Sequence, residues 1–450
     1  MRRRVVITGI GTATAYGMGK DALWEGLLAG RSTIARLTAF DPSGFRSRFG
    51  SEAKEFSAKD FVPKTYRKAV KVMARDTELA VAAARLAVED AGLVTRGTLP
   101  ESGGATTYPG PRMACQIGAG LIAAETDELS MALAGSVREG EAGVGGVSMR
   151  AWGDGPEGES GMNSLPPLWL LKYLPNMLAC HVTIIHGTEG PSNTITCSEA
   201  SGLLSLGEST RVIERDMADL AFSGSAESKV NHMGLMRLDL AGWLAPTPDD
   251  GPASVRPYDP GATGTLVGEA GGILILEELG CAHKRGVGPY CEVAGFGAAQ
   301  TVGSGPADRA WVDRSGDGLA QAIAAALRDA GTTPDRIDLI VPNGCGVPDL
   351  DAAEADALRT VFGERLARIP LLCLPTVLGQ SMAGQGAVMT AAAALAIRHQ
   401  TLPARVHAGT PAPGLLAGAA PSAPAPIREA LVCTASLGGQ NAAVVLRALP

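Results

Sequence analysis

The chain has 450 residues, 46% hydrophobic but only 4% aromatic, with 58 glycines and a formal net charge of -7. That length and composition describe a folded body with one large core or two fused ones, and they exclude a disordered chain. The acidic balance excludes a general attraction for nucleic acid or anionic membrane, and no apolar run is long enough to span a bilayer.

Met1-Arg2-Arg3-Arg4 has the charge of a signal-peptide start, but Thr8, Gly9, Gly11 and Thr12 break the apolar run that follows, so a cytoplasmic location is expected. Strand-like runs then alternate with Ala/Leu-periodic helical segments, the pattern of parallel strands joined by helices in a layered α/β fold. The first five predicted strands are Val5–Thr8, Ala114–Gly118, Thr194–Cys197, Leu220–Ser223 and Gly272–Glu277. The second five are Glu292–Phe296, Leu339–Val341, Leu371–Leu374, Ala430–Cys433 and Ala443–Leu446.

The two sets echo one another. Gly9-Ile10-Gly11 on the opening strand returns as Gly295-Phe296-Gly297, and Glu89-Asp90-Ala91-Gly92 at a helix end returns as Arg328-Asp329-Ala330-Gly331. An internal duplication is expected, with one half over residues 1–280 and the other over 281–450. Ser102–Arg112, Val137–Pro167 and His407–Pro426 are predicted to be loops or excursions.

Neither Gly-x-Gly pair continues into the spacing that binds a dinucleotide. The eight cysteines contain no C-x-x-C pair and the six histidines have no ligand-like spacing, so no metal and no permanently bound cofactor are expected. A strand-to-helix turn dense in small and polar residues, Gly190-Pro191-Ser192-Asn193-Thr194-Ile195-Thr196-Cys197-Ser198-Glu199, does suggest a site, because a helix N-terminus stabilises a thiolate or carboxylate. Cys197 is read as a structural thiol.

With these pieces in order, the chain resembles the β-ketoacyl-acyl-carrier-protein synthase family over nearly its whole length. The resemblance is carried by Phe40-Asp41-Pro42, Arg256-Pro257-Tyr258-Asp259, Gly268-Glu269-Ala270-Gly271 and Gly438-Gly439-Gln440-Asn441. It implies a thiolase-like fold with two pseudo-duplicated βαβαβαββ halves layered α/β/α/β/α. The family's nucleophilic cysteine lies nine residues after the Gly of the Gly-Pro pair, which is Glu199 here. Its first catalytic histidine corresponds to Asn343, in Asn343-Gly344-Cys345-Gly346 followed by Asp351 and Glu354, and its second corresponds to Gln380. The phenylalanines that gate the acyl pocket correspond to Ala435 and Leu437, beside Gly438 and Gly439 in the substrate-binding region.

Condensation needs a thiolate to carry the acyl group and imidazoles to stabilise an enolate. Asn343 and Gln380 can donate hydrogen bonds but cannot shuttle protons, and Glu199 cannot carry a thioester. The pattern resembles the chain length factors, subunits without the nucleophile that pair with an active ketosynthase. Their likeness implies a partner ketosynthase, or a second copy of this chain, docked around 176–196. It also implies an acyl carrier protein whose phosphopantetheine-linked acyl group is a possible ligand. Lys64, Arg67, Lys68, Lys71 and Arg75 follow helical spacing, as a carrier-docking face or a solvated one. Two other functions stay open: an acyl-thioester decarboxylase, hydrolase or acyltransferase using Glu199, with Cys345 as an auxiliary, and a homodimeric carrier-binding scaffold.

Overall fold

The computed structural model describes residues 2–138, 146–153, 160–246, 251–301, 314–436 and 438–450. The first half contributes β1 (Val5–Thr14), β2 (Met113–Ala119), β3 (Ser192–Ile195), β4 (Leu220–Ser228) and β5 (Val267–Glu278). The second contributes β6 (Cys291–Gln300), β7 (Leu339–Val341), β8 (Glu429–Ala435) and β9 (Gln440–Arg447). They run side by side in the order β7-β8-β9-β6-β1-β5-β4-β2-β3.

The halves repeat each other in pairing sense. β1 and β5 are antiparallel, as are β5 and β4, whereas β4–β2 and β2–β3 are parallel. In the second half β6–β9 and β9–β8 are antiparallel and β8–β7 is parallel. The predicted strand Leu371–Leu374 is replaced by one parallel bridge, Ile340 to Leu371, in the place that β3 holds in the first half. Pro375 opens a short helix, Pro375–Leu378, and ends the extended run. The strand predicted over Thr194–Cys197 lies earlier, at Ser192–Ile195, because Ser198–Ala200 already forms a 3-10 turn.

Helices divide the sheet into layers. α1 (Arg75–Asp90) and α2 (Met177–His186) cover the outer face of the first half, and α4 (Asp317–Asp329) and α5 (Pro348–Phe362) that of the second. α3 (Ser201–Glu214) and α6 (Gln385–His399) lie between the halves and touch strands of both. The result is the α/β/α/β/α order. α6 is buried from Gln385 through Ile397, which its alanine-rich sequence permits by offering a thin, apolar cylinder to both sheets. The central core joins Leu203 and Leu206 of α3 to Met389 and Leu395 of α6.

The repeated Gly pairs exist for close packing rather than ligand binding. A Cβ on Gly11 would lie 2.0 Å from the Ala83 carbonyl of α1, and one on Gly297 would lie 2.1 Å from the Ala322 carbonyl of α4. The repeated aspartates complete the contact: Asp90 accepts the Ile10 amide at 2.8 Å and Asp329 accepts the Phe296 amide at 2.9 Å. These amides follow the register shift in each opening strand, so one carboxylate per half holds the irregular backbone against its helix. Among the described residues no helix is long and apolar enough to cross a membrane.

Candidate functional site

Three turns converge between the halves. The first, Ser198–Ala200, leads from β3 into α3 and carries Glu199, which is 1% exposed. The Ser201 hydroxyl fixes its shape by accepting the Cys197 amide at 2.8 Å. Ser198 has φ 49, a left-handed conformation that costs a non-glycine residue roughly 1 kcal/mol. The carboxylate of Glu199 therefore belongs to a turn at the positive end of the α3 dipole, where an anion is stabilised.

The second turn follows β7. Asn343 and Gly344 donate their amides to Glu354 at 2.9 and 2.8 Å, while Cys345 and Gly346 donate theirs to Asp351, both at 3.0 Å. Both carboxylates lie on α5, so one face of that helix cradles the whole turn. Burial, then the adjacent Glu354, push Asp351 up to about 7, against the pull of the amides it accepts. Gly346 has φ 83 and lies against the Gly264 carbonyl, which leaves no place for a side chain.

The third turn holds Gln380, 1% exposed, strapped to β5 by its own amide donating to Leu266 O at 2.7 Å and by Gly268 donating to Gln380 O at 2.9 Å. Gln380 Nε2 then reaches Asn343 Oδ1 at 3.1 Å. Sequence reasoning missed Gln385, whose Nε2 approaches the same oxygen at 3.2 Å and the Asn343 carbonyl at 3.4 Å. Its signal was present in the chain, a long amide at the head of an otherwise apolar helix. The following turn, Met382–Gly384, packs on Ser198–Ala200 and holds another left-handed residue, Met382 at φ 51. Glu227 accepts the Ala383 amide at 2.8 Å and forms an ion pair with Lys229, both buried. Thus Asn343 and Gln380 meet directly, and the turn bearing Glu199 abuts the one that follows Gln380.

No imidazole is supplied from elsewhere. His181 pairs with Tyr66, His186 with Thr95, His232 with Thr126 and His407 with Pro257, His399 stacks on Trp24, and His283 lies in the helix Leu279–Arg285. The Cys345 thiol is pushed well up by burial, then by Asp351, with Glu354 and Glu199 adding to it. It points to Asp351 Oδ1 at 3.6 Å, the arrangement of a protonated thiol rather than a nucleophile. Cys197 is half-buried and its thiol is also raised by burial. Among the described residues no group of three or more His, Cys, Asp or Glu side chains could hold a metal.

Ala435 lines a cavity of about 20 Å³ together with Asn343, Ser436 and Asn441, space for roughly one water. Gly438 and Gly439 form the turn between β8 and β9, with Gly438 exposed, whereas Leu437 lies outside the described residues. The expected single basic helix does not form. Lys64, Arg67, Lys68 and Lys71 lie on a 3-10 segment, Lys64–Val72, and are exposed, with Lys64 paired to Glu101. Arg75 instead opens α1 and is held inward by Glu269, at 2.8 and 3.0 Å, so it leaves the exposed set. The break follows from Ala74, which is extended between the two helices.

Comparison with known proteins gives the same frame. The family described as Beta-ketoacyl synthase, N-terminal domain, matches residues 2–282, and its C-terminal domain matches 290–409. The 3-oxoacyl-[acyl-carrier-protein] synthase 2 of Staphylococcus aureus (strain N315) is 28% identical over 449 residues, covering 99% of this chain and 98% of that protein. The tetracenomycin polyketide synthase ketoacyl synthase beta subunit of Streptomyces glaucescens is 30% identical over 452 residues, 98% of each chain. Among solved structures, the ishigamide ketosynthase/chain length factor aligns over 100% of both chains with a TM-score of 0.81 and 27% identity.

Proposed function

This protein belongs to the beta-ketoacyl synthase family, and we propose that within it the chain is a chain-length-factor-like subunit that does not condense acyl groups and pairs with an active ketosynthase. The observation that carries the reading is a buried carboxylate, Glu199, and a network of neutral amides at Asn343, Gln380 and Gln385, where the resemblance aligns 199, 343 and 380 with the family's thiol and two imidazoles. Groups of this kind act as a unit in catalysis, so a site with neither a thiolate to carry the acyl group nor an imidazole beside it is expected to have lost condensation. The named likeness to a ketoacyl synthase beta subunit and to a ketosynthase/chain length factor favours the same role.

Pairing has a physical basis in the surface. β3 ends the sheet path, with Ser192 and Asn193 exposed, and a strand edge of this kind is a template for another chain. Leu168, Leu170 and Ile184 are exposed apolar residues on the segments before it. The carrier protein that brings phosphopantetheine-linked acyl groups would meet Lys64, Arg67, Lys68 and Lys71, whose exposed charges suit an acidic partner.

The test is co-expression with a cysteine-bearing ketosynthase from the same assembly system, with and without this chain. The reading requires a co-purifying heterodimer and product only when both are present. A stable homodimer that turns over acyl thioesters, with turnover abolished by Glu199→Gln, would replace it with an enzyme acting through Glu199. Carrier-protein binding by a homodimer without turnover would replace it with a scaffold.

A further inference from the structure

We propose that the cavity at the start of α1, with Asp76 buried in its wall, is a binding site for an extended polyamine. The cavity measures about 650 Å³, a size that takes a small organic molecule, and it is walled by the chain around Phe40, Lys54, Asp76, Thr126, Asn231 and Glu269. Its charge is one-sided. Lys54 and Arg75 are the only Lys or Arg side chains in the lining among the described residues, and both are already paired, Lys54 with Glu52 at 2.8 Å and Arg75 with Glu269 at 2.8 Å. Asp41, Asp76, Glu125 and Asp127 line the same cavity without an ion-pair partner among the described residues. His232 Nδ1 is engaged by the Thr126 hydroxyl at 3.2 Å.

Asp76 separates this cavity from a merely acidic surface. Asp41, Glu125 and Asp127 are exposed and water can solvate them, whereas Asp76 is 3% exposed. Its Oδ1 accepts the Ser228 amide at 3.3 Å, a long contact, and among the described residues no side chain bonds to either of its oxygens. Lys229 is committed to Glu227. Burial, then Glu227, hold the Asp76 carboxyl up at about 7, with Lys229 opposing, so the cavity wall carries an acid that lacks a counter-ion. A buried carboxylate kept for structure alone would be paired, as Glu269 is.

The distribution of charge selects the ligand. Among the described residues no group of three or more His, Cys, Asp or Glu side chains could hold a metal ion, so the negative charge is spread around the cavity rather than focused on a point. Ammonium groups spaced along a flexible methylene chain are spread in the same way, and each can donate charge-assisted hydrogen bonds to a carboxylate it meets. The inference does not depend on what the chain pairs with.

Isothermal titration calorimetry of the full chain with spermidine, at pH 8 and low ionic strength so that Asp76 is ionised, tests the site. The parent is compared with Asp76→Asn, which keeps the shape, with Asp127→Asn at an exposed position of the lining, and with Glu364→Gln, an exposed carboxylate elsewhere; far-UV circular dichroism establishes that each is folded. The proposal requires one saturable site, weakened about tenfold or more by Asp76→Asn and about threefold by Asp127→Asn, and unchanged by Glu364→Gln. Should Asp76→Asn not fold, the contrast between Asp127→Asn and Glu364→Gln decides. Absence of saturable binding overturns the proposal, and so does binding that folded Asp76→Asn leaves unweakened. Equal weakening by Glu364→Gln means attraction to the acidic surface at large and overturns it too. Magnesium ion binding as tightly as spermidine at matched ionic strength overturns the choice of an extended amine.

Discussion

Gln380 donates its side-chain amide to Asn343 across 37 residues of sequence, Nε2 to Oδ1 at 3.1 Å, with both side chains buried. The contact is a hydrogen bond between two neutral amides, and Gln385 adds a second to the same oxygen. Replacing Asn343 by Leu removes the shared acceptor, strands the Gln380 amide and leaves the Gln385 amide only its 3.4 Å contact with the backbone carbonyl of residue 343. An orphaned buried donor costs about 1–3 kcal/mol, so urea unfolding should show a loss in that range. A loss below about 0.5 kcal/mol would mean the clamp carries no strain-free hydrogen bonds.

The Lys229–Glu227 ion pair is buried, with Glu227 also receiving the Ala383 amide beside the site. Lys229→Met leaves a buried carboxylate uncompensated and is expected to cost about 3 kcal/mol or more. Adding Glu227→Gln should recover much of that loss, because Gln still accepts from Ala383 without a charge. Equal stability of the single and double variants, measured by chemical denaturation, would contradict the assignment.

Asp76 is 3% exposed and lines a polar cavity of about 650 Å³ with Arg75, Glu269, Asn231 and His232. Burial, then Glu227, raise it to about 7 from an ordinary 3.8, with Lys229 opposing. The folded state therefore holds this proton more tightly than the unfolded chain does. Its favourable contribution is complete below the unfolded pKa and is lost as pH rises through about 7. Asp76→Asn has no such loss, so its melting temperature relative to the parent should climb between about pH 4 and pH 7 and level off above. A difference that is flat across that window would show that Asp76 ionises normally.

The duplicated glycines make a paired test. Gly11→Ala and Gly297→Ala each drive a Cβ to within 2.0 and 2.1 Å of a helix carbonyl, at Ala83 and Ala322 respectively. Neither helix can retreat without breaking the Asp90 or Asp329 contact, so each variant should lose about 3 kcal/mol or more. Thermal unfolding compares the two directly. Similar large losses follow from equivalent packing, and tolerance of either one would break the equivalence.

Patterns repeated along the chain were legible from the sequence alone: alternating strand and helix signals, the paired Gly-x-Gly and Asp-Ala-Gly echoes, and a carboxylate at 199 with neutral amides at 343 and 380. These depend on local periodicity and on residue chemistry, which a string of letters retains. Tertiary structure alone decided that the glycines serve helix-on-strand contact, that Arg75 turns inward to Glu269 while Lys64–Val72 winds as a 3-10 segment, and that Leu371 makes a bridge rather than a strand. It also decided that Gln385 reaches Asn343. Each of those outcomes is set by atoms far apart in the chain competing for the same space or the same hydrogen-bond partner, and spacing along the sequence carries no record of that competition.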